Sequence, residues 1–322
     1  MNAVRIHQFG GPEALVFEDI PQPTPKPNEA VVKVDAAGVN FIDIYQRTGI
    51  YKLALPTTLG LEGGGTVSAV GAEVKDVKAG DRVAWTSIPG AYAEFAAVPA
   101  DRLVPLPASV TTKQGAAAML QGITAHYLAH STYALKPGDT CLIHAGAGGV
   151  GLVLTQIAKL RGARVITTVS TGEKAALSRD AGADHVILYT TQDFEVEVKR
   201  ITGGKGLPVV YDSVGLSTFE KSVNCLAPRG MLVLFGQSSG VVPPIDPQYL
   251  SQKGSLFFTR PTLVHYIATR EELHSRARDL LDWIGAGKVR LRMEFEFPLK
   301  NAADAQQALA GRKTTGKVLL IP

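Results

Sequence analysis

The chain has 322 residues, with 33 Lys+Arg, 29 Asp+Glu and 2 Cys. At about 100–200 residues per domain this length predicts two domains, and 45% hydrophobic with 19% charged residues exclude a disordered or collagen-like chain. The net charge of +4 has no basic block behind it, and Cys141 and Cys225 have no CxxC partner. Nucleic-acid binding and a disulfide framework are therefore not expected. No apolar run reaches the ~18 residues of a membrane span, and the N-terminus lacks a secretory pattern. A reducing cytoplasm is the expected location.

The first third reads as short strands separated by turn residues: 4–7, 15–19, 30–36, 65–70, 82–85, 92–98 and 102–104. A proline-rich connector, 21–27, lies between the second and third. Strands at this spacing predict a small antiparallel barrel or sandwich. The pattern changes near Gly122. Strands at 141–145, 164–169, 185–188, 208–212, 231–235 and 255–258 then alternate with helices beginning at Gly149, Glu173, Thr191 and Leu216. That alternation predicts an α/β domain with a doubly wound parallel sheet. Residues 236–254 read as a long loop. A helix (270–285), a strand-like run (289–297), a helix (302–310) and a strand (317–321) follow, and this segment is placed to return and complete the first domain.

After the strand at 141–145, Gly146, Gly148 and Gly151 fit GxGxxG, with Gly149 and Val150 between them. The helix that follows puts Val150, Val153, Leu154, Ile157 and Ala158 on one face. Glycines allow a tight turn and let the backbone approach a pyrophosphate, and the helix start offers free N–H groups. A glycine-rich turn with no ligand is the plainer alternative. NAD-binding folds carry an acid at the end of the second strand, about 20 residues on, for the ribose 2′-OH. Here Ser170, Thr171 and Lys174 follow that strand, a set suited to a 2′-phosphate and hence to NADPH.

These residues resemble the medium-chain dehydrogenase/reductase family, in its zinc-free quinone oxidoreductase (zeta-crystallin-like) branch. The similarity is carried by residues 138–151 with Gln156 and Lys159, and by Gly38–Asp43, 60–65, 80–83 and 315–318. The resemblance implies a GroES-like antiparallel β domain (1–122 with 262–322) beside a Rossmann dinucleotide-binding domain (123–261), with the chemistry in a cleft between them. Zinc-dependent members put a Cys ligand where this chain has Asn40 and a His ligand where it has Leu61. No metal site is expected, and Glu62 and Asp43 are expected to hold the cleft by hydrogen bonds.

Without a Lewis acid the acceptor must take hydride readily by itself, as quinones and conjugated enones do. The family places the equivalents of Asn40, Tyr45 and Tyr51 at the nicotinamide end, and these are the expected catalytic residues. It places Ser170, Lys174 and Tyr189 near the adenosine phosphate, Phe235 and Ser238 near the nicotinamide ribose, and Phe257, Thr259 and Arg312 along the cofactor channel. Ordinary packing is the alternative for the tyrosines, and a solvated turn for Arg312. The expected activity is NADPH-dependent quinone reduction by a homodimer. Two rivals stay open: reduction of activated alkenes, and a non-enzymatic crystallin-like or RNA-binding role. His126 and His130 lie four apart on a helix without further ligands. They and His144 read as core or surface histidines.

Overall fold

The computed structural model describes residues 1–322. The chain forms two compact units, 1–123 with 266–322 and 124–265. In chain order the elements are β1 (Asn2–Ile6), β2 (Val16–Asp19), β3 (Glu29–Val39), α1 (Phe41–Arg47), β4 (Thr57–Thr58), β5 (Glu62–Val70), β6 (Arg82–Thr86), β7 (Phe95–Pro99), β8 (Val104–Pro105) and α2 (Thr112–Tyr127). There follow β9 (Thr140–Ile143), α3 (Gly149–Leu160), β10 (Arg164–Val169), α4 (Gly172–Asp180), β11 (His185–Leu188), α5 (Phe194–Ile201), β12 (Leu207–Asp212) and α6 (Phe219–Asn224). The rest are β13 (Leu226–Leu234), α7 (Pro247–Gln252), β14 (Phe257–Thr259), α8 (Leu263–Tyr266), α9 (Arg270–Gly285), β15 (Phe295–Pro298), α10 (Ala302–Ala310) and β16 (Val318–Ile321).

The first unit carries a seven-stranded sheet with the path β15-β16-β3-β5-β6-β8, β7 pairing with β3, and a small sheet β2-β1-β4. Its pairs are antiparallel except β15 with β16, which run parallel. β3 is rich in Val and buried along most of its length, because β5, β7 and β16 all pair with it. Trp85, Tyr92 and Leu103 fill the core beneath it. β-branched side chains suit that half-buried pleat, and burial of each large apolar residue contributes roughly 1.5–3 kcal/mol.

The second unit is a six-stranded, all-parallel sheet in the order β11-β10-β9-β12-β13-β14. Leu142, Ile166, Val210 and Leu232 come from four neighbouring strands and share one core. Leu154, Ile157 and Ala158 of α3 are fully buried, as their helical spacing predicts. The strand order reverses between β9 and β12, the point at which doubly wound sheets open a ligand crevice.

Several local expectations are corrected. The run 92–98 forms ladder only from Phe95; Tyr92 bonds back to Leu59 O at 2.9 Å and Ala93 bridges singly to Ala3. Arg102 sits in a 3-10 turn, and the next strand starts at Val104. The strand in the run 289–297 starts only at Phe295 and ends at Pro298; ahead of it Arg292 is held by isolated bonds, its O accepting from Lys317 N–H at 2.8 Å and its Nε donating to Thr315 Oγ1 at 2.9 Å. The helices expected from Thr191 and Leu216 begin at Phe194 and Phe219. Asp193 caps the first by accepting from Glu195 N–H, and Thr218 turns its hydroxyl to Asp212 ahead of the second. The long loop 236–254 contains α7, started by Pro247 with Asp246 accepting from Gln248 N–H. α1 was not expected, and of α2 only the end around His126 was read as helical.

Candidate active site

In the second unit the glycine loop joins the end of β9 to the start of α3. Ala145 enters it with φ +53°, a left-handed conformation uncommon for a residue with a Cβ. A Cβ on Gly151 would collide with Ala145 O and lie 3.0 Å from Gly146 Cα, so the helix can start this close to the strand only with glycine there. α4, α5 and α7 are each capped by a side-chain oxygen, whereas Gly148 leaves the start of α3 without one. The first N–H groups of a helix have no intrahelical partner. This end therefore fits a dinucleotide pyrophosphate, an anion that takes those N–H groups as its donors.

Neighbouring strands carry the other expected cofactor residues to the same edge of the sheet. Val169 pairs with Leu188, which sets Ser170 beside Tyr189 at the ends of β10 and β11. Thr190 Oγ1 donates to Ser170 O at 3.0 Å. Lys174 stands in the first turn of α4, where its own N–H is held by Thr171 Oγ1 at 3.2 Å. No carboxylate ends β10. Phe235 and Ser238 follow β13, their N–H groups bonded to Asp212 O at 2.8 Å and Ser213 O at 3.2 Å. Phe257 and Thr259 lie on β14, the outer strand, and Phe257 is 58% exposed.

Behind the loop is a buried polar chain. His144 bonds Thr168 Oγ1 at 2.8 Å and Ser222 Oγ at 2.9 Å, and Ser222 donates to Asp212 Oδ2 at 2.8 Å. Asp212 Oδ1 also accepts from Val214 and Gly215 N–H. Burial holds the His144 pKa below the ordinary imidazole value, with Asp212 opposing it. The imidazole braces β9, β10 and α6 and is a core histidine. His126 and His130 stack face to face at 4.2 Å with 10° between planes, and no group of three ligating side chains accompanies them.

The first unit holds a second polar cluster, around Asn40 at the head of α1. Asn40 Nδ2 donates to Glu62 Oε2 at 2.8 Å and to Gly38 O at 3.3 Å. Asn40 Oδ1 accepts from Gln121 Nε2 at 3.1 Å and from Lys317 Nζ at 3.0 Å. Lys317 is ion-paired with Glu62, whose other oxygen accepts from Leu120 N–H at 2.8 Å. Asp43 Oδ2 accepts from Asn40 N–H at 2.8 Å and Tyr92 OH at 2.9 Å, while Oδ1 is buried with no partner. Burial therefore outweighs those two donors and Lys317, and lifts the Asp43 pKa to about 7. Tyr92 is pushed well above its ordinary value by burial and by Asp43.

Tyr45 and Tyr51 are brought together, ring centroids 5.6 Å apart and nearly perpendicular; Tyr45 is buried and Tyr51 is 38% exposed. Arg312 follows α10 as an exposed residue with φ +57°. The expected residues thus fall into two groups: 146–151, 170, 174, 189, 235, 238, 257 and 259 on the second unit, and 40, 45, 51 and 312 on the first. Lys317, Gln121 and Tyr92 were not singled out from sequence, although Lys317 lies within the 315–318 motif.

Two family models match the chain: an alcohol dehydrogenase GroES-like domain over residues 26–108 and a zinc-binding dehydrogenase over residues 149–285. The donor set does not fit zinc. Asn40 and Leu61 offer neither thiolate nor imidazole, and the Glu62 oxygens are taken by Lys317, Asn40 and Leu120. The chain is 46% identical to a quinone oxidoreductase of Pseudomonas aeruginosa, with 99% of each chain covered. It is 43% identical to a 2-haloacrylate reductase of a Burkholderia species, covering 99% of this chain and 98% of the relative. Among solved structures, the Escherichia coli quinone oxidoreductase complexed with NADPH matches with TM-score 0.98 at 44% identity, over 100% of both chains. The chain belongs to the medium-chain dehydrogenase/reductase family, in its quinone oxidoreductase branch.

Proposed function

We infer that the protein is an NADPH-dependent quinone oxidoreductase. The observation that carries this is full-length similarity to quinone oxidoreductases, including an NADPH complex of the same fold. Two features of this chain agree with it: the uncapped glycine loop, and a β10 end with Lys174 in place of an acid. Bound NADPH supplies the hydride. The loop N–H groups from Gly146 to Gly151 hold the pyrophosphate, and Ser170, Lys174 and Tyr189 hold the adenosine 2′-phosphate end. Phe235, Ser238, Phe257, Thr259 and Arg312 line the rest of the cofactor. Asn40 meets the nicotinamide carboxamide. Tyr45 and Tyr51, edge to face, give a flat acceptor an aromatic wall. With no thiolate or imidazole to hold zinc, the residues present select acceptors that take hydride unaided.

One observation favours a second reading, reduction of activated alkenes: the similarity to a 2-haloacrylate reductase. The deciding assay is NADPH oxidation across small benzoquinones, polycyclic quinones and α,β-unsaturated ketones at matched concentrations. Benzoquinones are expected to turn over fastest, with no loss after chelation. Turnover confined to the enones moves the assignment to the second reading, and chelator inactivation reversed by zinc removes the metal-free mechanism.

A homodimer belongs to the same proposal. β14 is an edge strand of the parallel sheet, and Leu216 and Val241 in the same unit are 54% and 60% exposed. No helix is long and apolar enough to cross a membrane. A cytoplasmic location accords with two buried free thiols, Cys141 and Cys225.

A further inference from the structure

Lys317 directly precedes β16 and is 2% exposed, a depth at which an ammonium persists only when fully paired. Its partners are Glu62, with 0% exposure, and Asn40. Gly38 makes the pair possible: a Cβ there would collide with both Glu62 Oε2 and Lys317 Nζ. The pair lies directly against Asn40, and the functional reading so far gives it no role toward the cofactor.

Its effect on Asn40 follows from donor and acceptor chemistry. An ammonium only donates and a carboxylate only accepts. The Asn40 amide therefore has a single orientation, Oδ1 toward Lys317 and Gln121, Nδ2 toward Glu62. Three of its four hydrogen bonds lie between 2.8 and 3.1 Å. The fourth, from the second Nδ2 hydrogen to Gly38 O, is 3.3 Å long and is the one a better acceptor takes over. Without both charges the amide loses its anchors: a neutral amide at position 62 can donate as well as accept, and Asn40 Oδ1 and Nδ2 can exchange places.

We propose that Lys317 is a positioning residue for cofactor recognition: locked to Glu62, it fixes the Asn40 amide so that the second N–H is offered to the nicotinamide carboxamide oxygen. This rests on the NADPH reading above. Lys317 is enclosed by Glu62 and Asn40 and acts through Asn40.

The test compares wild type, Lys317→Met and Glu62→Gln/Lys317→Met by thermal melting, by NADPH fluorescence titration and by turnover of a small benzoquinone. Lys317→Met buries an unpaired carboxylate and melts lower. The double variant removes both charges and melts close to wild type. It nonetheless binds NADPH up to about tenfold more weakly, the upper end for a lost neutral hydrogen bond, with the KM for quinone unchanged. In an Asn40→Ala background the same double substitution changes NADPH affinity no further. Wild-type affinity in the double variant overturns the proposal and reduces Lys317 to a counter-charge. A double variant that melts as low as the single, or a further loss in the Asn40→Ala background, overturns it equally. Absence of NADPH binding by wild type overturns the cofactor reading instead, so the two failures are distinguishable. If Lys317→Met does not fold, the double variant still decides.

Discussion

The glycine loop of the second unit and the Asn40 cluster of the first are built by opposite means. The loop is six consecutive residues, Gly146 to Gly151, and its working groups are backbone N–H. The cluster gathers Asn40, Glu62, Gln121 and Lys317 across separations of 22, 81 and 277 positions, and its working groups are all side chains. The first depends on the absence of side chains, and its failure mode is crowding. The second depends on charge balance: removing one partner leaves the other buried and unpaired, which costs about 3–5 kcal/mol.

That contrast can be broken most forcefully at Gly38. Gly38→Ala forces Glu62 and Lys317 apart, and a loss of about 3–5 kcal/mol is expected in urea unfolding. Gly148→Ala is its counterpart in the loop. A Cβ there lies 3.2 Å from Ala145 O, so stability should fall by less than ~1 kcal/mol while NADPH affinity drops. Equal stability losses in the two variants would erase the distinction.

The next effect is a pH dependence confined to the cluster. Asp43 faces Glu62, which disfavours its charge, and Lys317, Tyr92 OH and Asn40 N–H, which favour it; burial dominates and raises the pKa from 3.8 to about 7. Between those values the folded chain holds a proton that the unfolded chain has released. Stability therefore falls as pH rises through this window and levels off above it. The slope approaches ~1.4 kcal/mol per pH unit at most. Asp43→Asn keeps an oxygen for both donors and should flatten it. Urea midpoints at pH 5 and pH 8 measure the change, and a slope that survives in the variant belongs to another group.

A smaller effect, in specificity alone, is expected from Lys174→Ala. A charge-assisted bond to the 2′-phosphate contributes roughly 1.5–3 kcal/mol, so the kcat/KM ratio for NADPH over NADH should fall about ten- to a hundredfold. Screening favours the lower figure. Melting should move little, because Lys174 is only partly buried in the first turn of α4. An unchanged ratio would place the 2′-phosphate elsewhere.

Legibility in the sequence follows the same division. The parallel sheet could be read because each of its strands is a local apolar run bounded by turns, and the glycine loop because it is contiguous. Most of α2 escaped notice: ahead of His126 the run Gly115–Ala118 has no apolar period to announce a helix, though Leu120 and Gln121 of that helix complete the cluster. The starts of α5 and α6 were placed early because local polar bonds, the Asp193 cap and the Thr218 hydroxyl tied to Asp212, stand ahead of those helices and carry no hydrophobic period. Lys317 was read only as part of a motif and as the first residue of the last strand, which begins one residue later. Nothing local distinguishes a buried lysine from a solvated one, and its partner Glu62 stands 255 positions away.

That separation has a consequence in time. At about 5–20 residues per second, a ribosome needs roughly 10–50 s to cross the 255 positions from Glu62 to Lys317. Throughout that interval β3 lacks its neighbour β16, and the Glu62 carboxylate lacks its ammonium. All six strands of the parallel sheet emerge in the meantime and can pair without waiting. A nascent chain can thus fold its nucleotide-binding half early while its first-made half stays open-edged, and a chain released before Lys317 is added keeps an unpaired acid where the finished protein orients an amide.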